Sequence, residues 1–215
     1  MSVEVLRYTN WSSYNNNYYP TYTQTFSFVA PANSLIVVFS VTASAVYTAP
    51  QIDVPSNTGT ALTWNELSLQ YYDDGSNSFG LGAWYAKNTT SQTIAVNGFS
   101  GGDGYIYQNG SIAYVITGHD LTNPIDSNVT SNPLVSSGSA NLALAAGYNA
   151  SSSTNLYIAQ NNQTWYGTSS AAGWAYVGAG NFNANFDYYD LFAGVVIKAA
   201  SSGPSAKFSI NMLTI

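Results

Sequence analysis

The sequence predicts an all-β chain: two packed antiparallel sheets forming a β-sandwich. Three observations carry this. Apolar residues keep no i, i+3, i+4, i+7 spacing over three turns, so helix signals are almost absent. β-Branched and aromatic residues come instead in short runs, broken by Gly, Asn, Ser and Pro. The runs recur about eleven or twelve times, the spacing expected of two packed antiparallel sheets.

The segments follow in order. Residues 1–24 precede the first convincing strand and are expected to form an N-terminal arm or edge segment. Residues 25–215 are expected to form a single sandwich domain. TFSFV at 25–29 alternates, as a half-buried strand does. SLIVVFSVT at 34–42 is nearly continuous, which suits burial on both faces or a place at the sandwich centre. ALTWNELSL (61–69), FGLGAWYAK (79–87), QTIAV (92–96) and SIAYVITG (111–118) follow. The second half offers NLALAAG (141–147), NLYIAQ (155–160), GWAYVGAG (173–180), LFAGVVIKA (191–199) and KFSINMLT (207–214). Turn signals separate them: Pro31–Ala32–Asn33, Asp73–Asp74–Gly75, Asn97–Gly98 and Asn109–Gly110, the last read as a hairpin turn. The Ser/Asn-rich stretch 125–140 reads as a long crossing loop or linker. Loose internal similarities do not keep register, which favours one sandwich over two.

Charge is the strongest compositional departure. Charged residues make up 7% of the chain, against about 25% in an ordinary soluble domain. Apolar residues make up 46%, so this is not the composition of a disordered chain. Its exterior must be amide and hydroxyl, which hydrate well and do not titrate. Few ion pairs exist for acid to break, so acid stability is expected. The composition suits an extracellular or acidic medium.

A pI near 4.2 with four scattered bases argues against nucleic-acid binding, which needs a clustered basic footprint. The absence of cysteine excludes disulfides, thiolate metal sites and cysteine nucleophiles. No apolar run approaches the ~18 residues of a membrane-spanning helix, so no membrane insertion is expected. MSVEVLRYTN has neither a long apolar core nor a cleavage-site pattern. Either a signal was removed, or the protein leaves the cell by another route, such as assembly into a virus particle.

Catalytic chemistry finds little to rest on. His119 is the single histidine and stands beside Asp120. Strand neighbours point to opposite faces, so Asp120 is poorly placed to orient it; a strand-end histidine in a loop is the expected state. YYDDGSN at 71–77 offers oxygens to calcium but lacks the EF-hand spacing, so a hairpin turn is expected there. A glycosidase needs two carboxylates about 5–10 Å apart, and most acids here lie in turn-like contexts. No catalytic residue, cofactor or metal site is expected, and the chain is not expected to be an enzyme. Six Asn-x-Ser/Thr sites occur, at Asn10, Asn88, Asn109, Asn128, Asn149 and Asn162. Any that carry glycan are expected on exposed loops.

Aromatics say more. Phe28, Phe39, Trp64 and Trp84 fall within strands and are expected in the core. NWSSYNNNYYPTYTQ at 10–24 holds five aromatic residues and four asparagines without a charge. Tyrosine among Ser and Asn makes adaptable contact surface: the ring gives rigid area and the hydroxyl finds a partner. Trp11, Tyr14, Tyr18, Tyr19 and Tyr22 are expected at a subunit interface. Tyr71, Tyr72, Tyr188 and Tyr189 are expected to contact ligand.

The succession SLIVVFSV, LTW, GLGAWYAKNTTSQTIAV and SIAYVITGHDLTNPID resembles β-sandwich modules of secreted bacterial proteins and of virus and phage surface proteins. The scarcity of charge and the wealth of Asn, Ser and Tyr resemble appendage proteins (turret, tail and fibre components) of viruses of acidophilic archaea. That resemblance implies a jelly-roll-like sandwich and a virion-surface or extracellular location. It also implies partners among copies of the chain and other virion or appendage proteins, with host surface glycans as a further partner. The expected function is a structural subunit of such an appendage, with host attachment as a secondary role. The alternative is a carbohydrate-binding or adhesion module that uses surface tyrosines.

Overall fold

The computed structural model describes residues 4–13, 23–45, 52–73, 75, 77–100, 105–131, 134–136, 141–148, 156–157, 166–169, 173–179, 182–186, 191–200 and 209–212. Side-chain surroundings are described for the central part of these. The described residues contain seventeen strands and no helix. In chain order they are β1 (Glu4–Ser13), β2 (Thr23–Ala30), β3 (Ser34–Ala45), β4 (Ser56–Asn57), β5 (Trp64–Asp73), β6 (Asn77–Asn88), β7 (Gln92–Ser100), β8 (Tyr105–Thr117) and β9 (Ile125–Val129). The rest are β10 (Leu134–Ser136), β11 (Leu142–Tyr148), β12 (Leu156–Tyr157), β13 (Tyr166–Ser169), β14 (Gly173–Ala179), β15 (Phe182–Phe186), β16 (Leu191–Ile197) and β17 (Ser209–Met212).

A six-stranded sheet in the order β17-β1-β8-β3-β6-β5 packs against a five-stranded sheet, β13-β14-β11-β16-β9. The pairing of β1 with β17 is parallel; the other strand pairings described are antiparallel. The all-β antiparallel sandwich read from the sequence is therefore the fold observed. Side-chain alternation explains how the sheets meet. Leu35, Val37, Phe39 and Val41 of β3 point to one face, with Phe79, Leu81 and Ala83 of β6 and Ile112, Tyr114 and Ile116 of β8. Opposite them lie Leu142, Leu144 and Ala146 of β11, and Leu191, Ala193, Val195 and Ile197 of β16. Each large aliphatic side chain removed from water here contributes about 1.5–3 kcal/mol before the cost of ordering it. Phe39 and Tyr114 meet edge to face, with ring centroids 6.2 Å apart.

Two smaller sheets cover part of the outer faces. Ile36, Val38, Ala113 and Val115 turn the other way and pack under Phe28, Ala30, Ile94 and Val96. The last four belong to the sheet β2-β7-β4. Leu134 of β10, fully buried, lies over Gly194 of β16, where an added Cβ would stand 2.9 Å from its Cδ1. β10 belongs to the sheet β10-β15-β12. Strands β3 and β16 are thus covered on both sides, and every residue of β16 is buried.

Several local expectations change. Glu4–Ser13, expected within an arm or edge segment, pairs with β8 along its whole length and with β17 over Glu4–Arg7. Asn109–Gly110 is not a hairpin turn: β8 runs through it, and Gly110 faces Trp11 on one side and Val41 on the other. Two neighbouring strands supply a full ladder, and that overrides the local turn preference. Asn97–Gly98 likewise lies inside β7, where the register shifts between Gln24 and Thr25 and leaves Gly98 as the extra residue of a bulge. Part of the expected loop at 125–140 forms β9 and β10, because Ser127 and Asn128 complete the ladder beside β16. Two turns stand as read. Asn33 takes φ 57° between β2 and β3, and Gly75 takes φ 86° between β5 and β6. The Asp73 carboxylate accepts the Gly75 N–H at 2.7 Å and closes that second turn.

Candidate contact surface

β5 ends the six-stranded sheet, and its residues face two ways. Leu69 and Tyr71 stand opposite Gly82 and Gly80 of β6; Ser68, Gln70 and Tyr72 stand opposite Ala83, Leu81 and Phe79. The Tyr71 ring lies against Gly80: a Cβ added there would stand 3.2 Å from the tyrosine Cε1. The Ile52 N–H donates to the Tyr71 hydroxyl at 3.4 Å. On the opposite face Tyr72 stacks on buried Phe79, centroids 6.0 Å apart and planes 21° from parallel. Both tyrosines are held on one side and remain 47% and 40% exposed. Because they leave opposite faces of one strand, they do not form a single platform. Leu69, 37% exposed, shares the Tyr71 face.

Neutral hydrogen bonds tie this edge to the second sheet. Gln70 Nε2 donates to Ser68 Oγ at 2.6 Å and to the Phe192 carbonyl at 2.5 Å. Asn128 Nδ2 donates to the Leu67 carbonyl at 2.9 Å. Leu67 is the extra residue of a bulge between Glu66 and Ser68, and its freed carbonyl takes this bond. The strand edge is thereby fixed without a charge.

Of the other expected contact residues, Trp11 sits in β1 opposite Gly110. Tyr14, Tyr18, Tyr19, Tyr22, Tyr188 and Tyr189 lie outside the described residues. Trp84 and Phe39 are core residues, as is Phe28, while Trp64 is half-buried against the core. Asp73 spends its carboxylate on the turn: besides Gly75, it accepts the Ser78 hydroxyl at 3.3 Å. Among the described residues, no group of three or more His, Cys, Asp or Glu is arranged to hold a metal ion. Two sequons have described side chains. Asn128 is exposed in β9, whereas Asn88 is buried at the end of β6. The Asn88 amide donates to the Pro31 carbonyl at 2.7 Å and the Ala30 carbonyl at 3.3 Å, and its oxygen accepts Gln92 Nε2 at 2.8 Å. It is a clasp between the ends of β2, β3 and β6, and a sequon reading alone does not reveal that.

Charge collects elsewhere. Among the described residues one ion pair occurs, Lys198 with Asp120 at 4.0 Å, partly exposed. Asp120 also accepts the Thr122 and Asn123 N–H groups at 2.9 and 3.0 Å. These two backbone bonds, then Lys198, hold its carboxyl below the usual carboxylate range. His119 is buried and bridges to Ala199. Burial pushes its imidazole below the ordinary histidine value, Lys87 pushes the same way, and the Ile116 backbone and Asp120 oppose. The Asp120 carboxylate is spent on its own turn, so this pair lacks the orientation a catalytic dyad needs. Comparison with family models, with curated proteins and with solved structures returns no match.

Proposed function

We propose that this chain is a structural subunit of an extracellular or virion appendage, such as a tail, turret or fibre, that assembles through uncharged surfaces. The observation that carries the reading is the β5 edge. It presents Leu69, Tyr71 and Tyr72 to solvent, each on a rigid sheet, and it is fastened by amide bonds rather than by ions. Rings held in place lose little side-chain entropy on contact, which favours their use as anchors between subunits. The composition supports the setting: 7% charged residues leave neighbours to recognise one another by shape and neutral hydrogen bonds. Tyr71 and Tyr72 face apart, which supports two contacts on two sides of the strand over one sugar-stacking platform.

Light scattering after size exclusion, with negative-stain microscopy, tests the reading on the full chain. Discrete oligomers, rings or fibres are expected, and Leu69→Ser with Tyr71→Ser should shift them toward smaller species. A chain that stays monomeric at every concentration, or assemblies indifferent to both substitutions, would overturn it. Selective binding on a glycan array by a monomer would favour the carbohydrate-binding alternative.

A further inference from the structure

We propose that the crossing from the six-stranded to the five-stranded sheet, residues 118–124, is an acid-sensitive latch closed by His119. The geometry is a short ladder against the end of β16. Asp120 N–H donates to the Lys198 carbonyl at 2.8 Å, Lys198 N–H to the Pro124 carbonyl at 2.8 Å, and Ala200 N–H to the Gly118 carbonyl at 3.0 Å. His119 and Ala199 form the bridge between them. From β6, Lys87 Nζ reaches over and donates to the Thr122 carbonyl at 2.8 Å and the Leu121 carbonyl at 3.3 Å.

The imidazole inside this ladder is 3% exposed, and its Nδ1 has no hydrogen-bond partner. A neutral ring leaves one bare acceptor there. A protonated ring would place an N–H with no acceptor, and a full charge, in the same dry position. The charged groups acting on it among the described residues are Lys87 from β6 and Asp120 from the crossing itself; Lys198, just past β16, engages Asp120. The Ile116 backbone hydrogen bond favours the imidazolium, but Asp120 already serves Thr122 and Asn123, so burial, with Lys87 acting the same way, outweighs the compensation. The direction of the His119 shift, driven first by burial, agrees.

Linkage then fixes the sign. The closed form excludes the proton, while the open form exposes an ordinary imidazole that titrates near about pH 6.5. Closure is therefore fully favoured above that value and weakens as pH falls through it, down to the depressed value of the closed form. Within that window the opening constant rises about tenfold per pH unit. Asp120 responds only in stronger acid, because its carboxyl is held low. Among the described residues the buried polar side chains other than His119 are Ser, Thr and Asn, which carry no titrating proton in this range, so both sheets stay folded while the latch opens.

Hydrogen exchange on the full chain, expressed as protection factors to remove the intrinsic pH dependence, reads this directly. Between about pH 7 and about pH 5, protection of Asp120, Lys198 and Ala200 should fall severalfold while β3 and β8 hold theirs. In His119→Gln the pH dependence of those three amides should vanish. Equal protection at both pH values in the wild-type chain overturns the proposal, as does an unchanged pH profile in the variant. Should His119→Gln fail to fold, the wild-type ring decides by NMR. A midpoint below the ordinary histidine range, reached as the latch amides lose protection, supports the latch; an ordinary midpoint with no amide change overturns it.

Discussion

Gly82→Ala tests the packing that supports the β5 edge. Gly82 lies opposite Leu69 in β5 and Ser40 in β3. A Cβ at this position would stand 2.0, 2.4 and 2.9 Å from Cη2, Cζ3 and Cζ2 of Trp84. Carbon atoms in contact sit about 3.5 Å apart or more, so the ring would have to withdraw by roughly 1.5 Å. Trp84 is 1% exposed and packs with Ile52 and Trp64, so it has no open space to enter. Overpacking of this kind costs about 1–3 kcal/mol, and a forced rotamer about 0.5–1.5 kcal/mol more. Alanine returns about 0.5–1 kcal/mol of backbone entropy relative to a strand glycine. The net is a loss of about 0.5–4 kcal/mol, or roughly 5–9 °C in Tm near the middle of that range. Thermal and urea unfolding, followed by near-UV circular dichroism and tryptophan fluorescence, measure it. Trp84→Leu should remove the conflict, so Gly82→Ala should be close to neutral in that background, a coupling of about 1–3 kcal/mol. The reasoning fails if Gly82→Ala costs the same in both backgrounds, or nothing in either.

Three further outcomes are expected from the same kind of melt. Asn88→Ala should cost about 2–4 kcal/mol, because the Ala30 and Pro31 carbonyls and the Gln92 amide lose a buried partner together. Ser40→Ala should cost about 1–3 kcal/mol by stranding Ser111, whose hydroxyl lies 2.8 Å away; adding Ser111→Ala should restore part of that loss, since the Ser111 hydroxyl is then no longer left without this bond. Lys198→Met should change stability by less than about 1 kcal/mol, and the wild-type Tm should barely respond to salt, because the Lys198–Asp120 pair is long and partly exposed.

What was legible in the sequence follows from which forces are local. The run SLIVVFSVT announced a strand covered on both faces, and β3 is one: its odd positions enter one apolar cluster, and Ile36 and Val38 enter another. Asp73–Asp74–Gly75 announced a turn because Gly75 must take positive φ and Asp73 can close it. Asn97–Gly98 and Asn109–Gly110 carry the same local signal, yet both lie within strands. Distant partners decided there, and a turn preference worth about 1 kcal/mol cannot outweigh a ladder closed from two sides. The contact surface was legible only by halves. Tyr71 and Tyr72 could be picked out as tyrosines in a polar stretch, but their division between two faces needed the register with β6. The role of Asn88 and the gathering of Lys87, Asp120 and Lys198 around His119 depend on contacts across 35 to 58 residues or more of chain, and no spacing in the sequence encodes them.

The four-layer arrangement also bears on the scarcity of charge. In a plain two-sheet sandwich each sheet turns one face to water, and alternate residues of every strand must be polar. Here small sheets cover part of both outer faces, and β3 and β16 carry no charged side chain. Strands with little need for a wet face have little need for Lys or Glu. Polar duty then falls on turns, crossings and edges, where Asn, Ser, Thr and Gln can bond to backbone as well as to water: Asn57, Asn88, Gln92 and Asn128 all do so or bond to one another. An amide that bonds to backbone works at any proton concentration, whereas a carboxylate or an imidazole does not. Among the described residues, the buried imidazole of His119 and the one ion pair lie together on this crossing. Because apolar side chains fill the space between the sheets, the proposed latch can respond at this crossing without disturbing them.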